Sequence, residues 1–491
     1  MSLLPLDIPP GVYRNGTEYQ ASNRWRDANL VRWSKGSMRP VGGWVERDDA
    51  ATNPPRGMIA WRDNSGDRRY AFGTFDGLYT ATASGTVSDI TPVGLTDGIE
   101  DAAANTGYGG SFYGTEDYST TRPDDGVYSE ATSWSLDTWG EYLVGCSVAD
   151  GVIYQWELDT GTPAAAVSNA PTGNLALIVT DERFLFALGA GGNPKKVQWS
   201  DREDNTVWTP AATNEAGDIE LQTPGQIMCA HRVRGVTLIL TDRDAHTATY
   251  QGPPFVYGFN RVNSACGVSS RMASVTIDNG AYWMGNKTFW TFDGGTVSEI
   301  ECEVSDYIFD SLTESQISKV CAIDNAQFGE VWWFFPSGDS LENDKYVIYN
   351  YREGHWSIGN FGRTTGVGRG TFPSPLMADA SGMIYTHEVG NAYDGADVYA
   401  ETGPISLGNG DQVMTVNKLI SDEATQGDVS FTFKARMHPN DTERDYGPYT
   451  PGNPTNVLFT GRQIRMRVDG VTPSDWRVGR QRLKAIARGE R

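Results

Sequence analysis

Positive charge is what this chain most conspicuously lacks. Its 491 residues carry 40 Lys and Arg against 62 Asp and Glu, a formal net charge of −22. Gripping nucleic acid along its backbone requires clustered cations, so the composition argues against a protein built around that task. Cysteine is scarce too. The five residues at 146, 229, 266, 302 and 321 are an odd number without a CxxC pair. No disulfide framework or zinc site is expected from them; reduced, mostly buried thiols are. The five histidines (231, 246, 355, 387, 438) are scattered, with no HxH or HExxH spacing, so no metal ligand set and no cofactor is expected. Long apolar runs are absent: stretches such as VWWFF at 331–335 are far shorter than a membrane-spanning helix, so no membrane insertion is expected. The opening MSLLPLDIPPGVY lacks a charged n-region and an apolar h-region, and a chain made and kept inside a cell is expected.

What the chain has in quantity is glycine (56), proline (24) and aromatic residues (11%), a balance that suits a turn-dense β protein. A strand-turn-strand pattern recurs seven times. It begins at Tyr70 (YAFGTFDGLY), Tyr142, Phe184 (FLFALGAGGNPKKVQW), Val236, Ala281, Val331 (VWWFF) and Leu376. Most intervals lie between 42 and 52 residues, and the first is 72. All-strand units of that period are propeller blades. Tight-turn pairs punctuate them, among them Asp76-Gly77, Asp150-Gly151, Asp293-Gly294 and Ser381-Gly382. The expectation is an all-β chain: a propeller of six or seven blades over 57–400. The excess in the first interval falls in 97–135, where eight acidic residues face Arg122 alone and no apolar face repeats. It reads as a projecting acidic loop, the alternative being a surface insertion with no role. One short helix is expected at 312–320, with Thr313 and Gln316 at capping-box spacing.

From about residue 401 the pattern changes to longer alternating strands, QVMTVNKLI (412–420), VSFTFKARM (429–437), NVLFT (456–460) and QIRMRVDG (463–470). These predict a separate β-sandwich-like platform over 401–491, to which the N-terminal 1–56 adds strands. The charge divides along the same lines. Residues 461–491 carry +6 and residues 1–44 carry +3, which leaves −31 for the middle. Arg465 and Arg467 alternate with Ile464, Met466 and Val468 and so share one face of a strand.

Catalytic signatures are missing. The nearest approach to a sialidase Asp-box, SDREDNTVW at 200–208, lacks the glycine and the spacing, and reads as an acidic turn with Trp199 and Trp208 packed in a blade. GAGGNPKK at 189–196 lacks the phosphate-loop pattern and joins two strands. From these absences no enzyme is expected.

The segment IPPGVYRNGTEYQASNRWRDANLVRWSKGSMRPVGGW at 8–44, WSDREDNTVWTP at 199–210 and the closing GPYTPGNPTNVLFTGRQIRMRVDG with WRVGRQRLKAIARGER resemble the tail hub or nozzle proteins of short-tailed bacteriophages, the packaged-DNA stabilisation or tail tubular type. The resemblance implies a structural virion protein at the tail, with a propeller beside a platform built from both termini. It implies a homohexameric ring around the DNA exit channel, seated on an adaptor or portal ring, with tail fibre or spike proteins as further partners. Double-stranded DNA would pass through without tight binding, since an acidic wall repels phosphates. In that frame Glu116, Asp117, Asp124 and Asp125 are candidates for a channel-facing or gate element. Arg462, Arg465, Arg467, Arg477, Arg480 and Arg482 are candidates for adaptor or inter-subunit contacts. The alternatives are a carbohydrate-binding or depolymerising propeller acting in receptor binding, and an intracellular protein-interaction propeller.

Overall fold

The computed structural model describes residues 2–48, 50–83, 85–104, 128–277, 280–407 and 412–489. Seven four-stranded antiparallel sheets follow one another along the chain. Blades 1 to 6 occupy 58–89, 134–166, 176–220, 227–263, 274–300 and 321–359. Blade 7 is made of Thr365–Val367, Leu376–Ala378 and Ile384–His387, and its fourth strand is Trp44–Asp48 from the other end of the chain. The innermost strand of each blade lies beside that of the next, and Thr365–Val367 of blade 7 lies beside Met58–Arg62 of blade 1, so the ring closes with seven blades. The seven strand-turn-strand repeats read from the sequence span the second and third strands of these blades.

Those second strands are continuous apolar runs for a physical reason. Each blade is sandwiched between two others, so both faces of its inner half are covered and alternation has no solvent side to serve. Val331 through Phe335 and Leu185 through Leu188 are accordingly buried at every position. The turns carry the conformations their glycines supply. Gly382, at φ +83, turns the chain where a Cβ would lie 2.4 Å from the Ala51 carbonyl oxygen.

The platform is a two-sheet sandwich. One sheet orders Ser2–Leu6, Gln481–Ala487, Met414–Ile420 and Thr455–Gly461; the other orders Trp25–Asn29, Tyr399–Thr402, Gln463–Gly470, Val429–Arg436 and Arg444–Tyr449. Val416, Leu419, Phe459 and Leu483 from the first sheet share a buried cluster with Phe431, Phe433, Met466 and Val468 from the second. Segment 1–56 is divided between the two bodies. Ser2–Leu6 and Trp25–Asn29 enter the platform, and Trp44–Asp48 enters the propeller. Between them the hairpin Val31–Ser34 and Ser37–Pro40 lies against blade 6. The helix expected at 312–320 is a 3-10 helix, Glu314–Lys319, and a five-residue α-helix not foreseen, Ser305–Phe309, precedes it. Thr313 does not cap the 3-10 helix; its hydroxyl donates to the Gly338 carbonyl at 2.8 Å.

All five cysteines are free and four are buried. Burial pushes their thiols up to about 11 or 12, away from the reactive thiolate. Four histidines are held neutral by burial: His231, lowered to about 4, together with His246, His355 and His387. His387 accepts from Arg363 Nε at 3.0 Å, which fixes its unprotonated nitrogen. In the unfolded chain these rings take protons near pH 6.5, whereas in the native state they do not. Acid therefore favours unfolding: their contribution is full above pH 6.5 and is lost as pH falls toward 4. Glu330, raised to about 7 by burial, works in the opposite sense, as do Glu423 and Asp469, which burial also raises. The expected result is a urea midpoint that declines between pH 6.5 and 4.5. A midpoint that holds or rises over that range contradicts it.

Candidate functional site

The propeller has two mouths, and the chain treats them differently. At the mouth where the inner strands begin, the connection from blade 1 to blade 2 leaves the rim. Ala103–Ala104 pairs with Tyr128–Ser129 as a two-residue stem at the base of the acidic insert. The stem is tied to the 3-10 helix between blades 5 and 6. Ala102 N donates to Gln316 Oε1 at 3.0 Å, Gln316 Nε2 donates back to Ala102 O at 3.0 Å, and Ala131 N donates to Ser318 Oγ at 3.1 Å. In a ring of seven these two junctions face each other, so the stem crosses the mouth. Lys319, with its side chain fully buried, anchors the crossing: Nζ donates to Asp101, to the Leu341 carbonyl at 2.7 Å and to Glu342 at 2.7 Å. Glu342 also accepts from Arg56, whose side chain is 1% exposed. Arg271 faces Glu130 at 3.4 Å and donates to the carbonyls of Ile227 and Met228.

Polar cross-links continue inside the ring. Arg232 of blade 4 grips Asp137 of blade 2 through both carboxylate oxygens, at 2.9 and 3.0 Å. The same carboxylate accepts from Val179 N of the intervening blade at 2.8 Å. His231 and Ser274 are 2.7 Å apart. A pocket of about 50 Å³ bounded by Trp134, Met228, Cys229 and Arg271 lies near the closed end.

Among the described residues nothing crosses the opposite mouth. A cavity of about 500 Å³ is lined by Arg232, Arg234, Asp324, Tyr351, Arg352 and Arg369, among others. Arg352 is held by the carbonyls of Ala326 (2.7 Å) and Gln327 (3.4 Å), and Arg369 reaches Gln327 Oε1 at 3.3 Å. None of these arginines was singled out in the sequence. The signal was present, though: Arg234-Gly235, Arg352-Glu353-Gly354 and Arg369-Gly370 all stand in turns that follow a first or third blade strand, and all such turns meet at one face. Among the described residues no group of three His, Cys, Asp or Glu is placed to hold a metal ion.

The residues expected to matter are distributed unevenly. Glu116, Asp117, Asp124 and Asp125 lie outside the described residues, although the stem that carries their segment is placed. Arg465 and Arg467 are on one face of Gln463–Gly470 and are engaged within the platform. Arg465 pairs with Glu401 and with Glu18 at 3.1 Å; Arg467 pairs with Asp469 at 2.7 Å and lies over the Tyr399 ring at 3.8 Å. Arg462 stands at the turn before that strand, its backbone N donating to Arg436 O. Arg477, 3.7 Å from Asp475, and Arg480, 3.0 Å from Asp7, are exposed, as is Arg482.

No family model matches the chain, and a search of curated proteins finds no match. Solved structures do match in fold. A streptogramin B lyase is 9% identical over 70% of this chain and 96% of its own, with a TM-score of 0.41. The virginiamycin B lyase from Staphylococcus aureus is 7% identical over 70% and 97%, also at 0.41. The Neurospora crassa Pan2 WD40 domain is 9% identical over 72% and 96%, at 0.40. Such identities speak to the fold alone. They do correct one expectation. Reading missing motifs as the absence of an enzyme fails, because the propellers of similar fold include lyases.

Proposed function

We propose that the chain is a structural subunit of a short-tailed phage tail nozzle, assembling as a homohexameric ring that extends the tail channel, retains packaged double-stranded DNA and passes it at ejection. The observation that supports this reading most is the platform. The first strand pairs with the last, Ser2–Leu6 with Gln481–Ala487, and Trp25–Asn29 pairs with Tyr399–Thr402. That is the arrangement the terminal resemblance implies: a propeller beside a β body woven from both chain ends. The charge agrees with it, since an acidic body lets phosphates slide past where a basic one would hold them by counterion release. With Arg465 and Arg467 engaged inside the platform, exposed Arg477, Arg480 and Arg482 remain for an adaptor ring.

The test is assembly. Native mass spectrometry of the full chain with its adaptor ring is expected to give six copies, and electron microscopy of the parent particle to place them at the distal tail. A chain that stays monomeric with the adaptor and is absent from particles overturns the reading.

A further inference from the structure

The mouth of the propeller opposite the stem holds an arrangement that the nozzle reading does not use. In a chain of net charge −22, three guanidinium groups from three blades, Arg234, Arg352 and Arg369, line one cavity of about 500 Å³ and are exposed there. A volume of that order is the size of a small-molecule site. Arg352 and Arg369 are both hooked to the turn 326–329 through Ala326 and Gln327, so their heads are positioned before any ligand arrives. Arg232, at the floor, is already neutralised by its two-pronged contact with Asp137. Among the described residues Asp324 is the carboxylate on the lining, so their charges leave an excess of positive charge. A second cavity of about 300 Å³, lined by Lys35, Arg39 and Arg477, touches the same turn at Gln327 and Phe328, but there Asp475 already meets both arginines.

We propose that this mouth is a binding site for a multivalent phosphoryl anion, whose oxygens are shared among Arg234, Arg352 and Arg369. Guanidinium forks match the oxygens of a tetrahedral phosphoryl group, and fixed forks lose little freedom on binding. Several such groups within one cavity select a ligand with more than one phosphoryl group. Two sources offer this chemistry, a free oligophosphate and a nucleic-acid backbone. The site resides in the single chain and stands whether or not the chain forms a ring.

The experiment is calorimetric titration of the full chain at low ionic strength with sodium tripolyphosphate, with a twelve-nucleotide single strand and with tricarballylate. Tripolyphosphate is expected to bind, and Arg234→Ala and Arg369→Ala are each expected to weaken it about tenfold, the scale of one lost charge-assisted contact. Lys287→Ala, in the turn after the second strand of blade 5 and so at the other mouth, should leave it unchanged. Tighter binding of the oligonucleotide with the same arginine dependence identifies nucleic acid as the source; tighter tripolyphosphate identifies a free oligophosphate. Absence of binding by both phosphoryl probes, or binding that survives the Arg234→Ala/Arg369→Ala double change, overturns the site. Equal or tighter tricarballylate binding overturns the phosphoryl assignment.

Discussion

Replacing Arg32 with alanine should destabilise the protein by about 3–5 kcal/mol, the scale of breaking a buried ion pair from one side. Arg32 leaves the N-terminal hairpin and enters blade 6 with 2% of its side chain exposed. Its Nε lies 2.9 Å from Glu330, whose side chain is also 2% exposed. Its two terminal nitrogens engage both oxygens of Glu388, one of them at 2.9 Å. The guanidinium lies 3.7 Å over the Phe328 ring. Other donors complete the set: Trp332 Nε1 to Glu330 at 3.0 Å, and Asn325 Nδ2 and Gly42 N to Glu388 at 2.7 and 3.1 Å. Alanine would strand two carboxylates that cannot reach water.

The pH dependence of that loss separates this cause from simple loss of packing. Burial already raises Glu330 to about 7 against the pull of Arg32, and without the cation it rises further. A carboxyl whose folded pKa exceeds its unfolded value costs stability increasingly as pH climbs past the unfolded value. The penalty of Arg32→Ala should therefore be larger at pH 8 than at pH 5, read as the shift in urea midpoint at each pH. Adding Glu330→Gln to the variant should recover part of it at pH 8. Arg39→Ala, which breaks a half-exposed pair with Asp475, provides the contrast at about 1 kcal/mol or less. A penalty that is small or flat with pH would mean the triad is not a coupled charge cluster.

Trp44→Ala should open the ring. Trp44 begins the strand that closes blade 7, and it is buried among Phe361 (ring centroids 5.1 Å apart), His387 (5.5 Å) and Tyr393 (5.8 Å). Its indole donates to Asp394 at 2.6 Å, and Arg363 covers the ring at 5.2 Å. Truncating a buried tryptophan costs about 3–5 kcal/mol. Here the loss is concentrated at the seam joining the two ends of the ring. Hydrogen exchange should accelerate first in 44–48 and 365–387, with blades 2 to 4 protected as before. Val45→Ala, in the same strand but with an exposed side chain, should change little. Uniform acceleration through all blades would show that the closing strand is not a separate weak seam.

Much of this architecture could be read without coordinates because its cause is local. A strand covered on both faces must be apolar along its whole length, so FLFAL and VWWFF mark their blades by composition alone. Their spacing gives the repeat, and the overlong first interval marks the insert. The alternation of Arg465 and Arg467 with apolar neighbours gives the platform strand its two faces in the same way. Composition also determined the imbalance of charge between the ends and the middle.

The rest depends on partners far away in sequence. WVERD at 44–48 is too polar to announce itself as a blade strand; it becomes one because Ile384–His387 leaves an edge unpaired at the ring's seam. Nothing local marks Arg32 or Lys319 as buried, and each is tolerated inside only because distant carboxylates meet it. The stem crossing one mouth and the arginines gathered at the other follow from the same cause. Closing seven blades into a ring brings together turns that lie more than a hundred residues apart, and no window of sequence contains that closure.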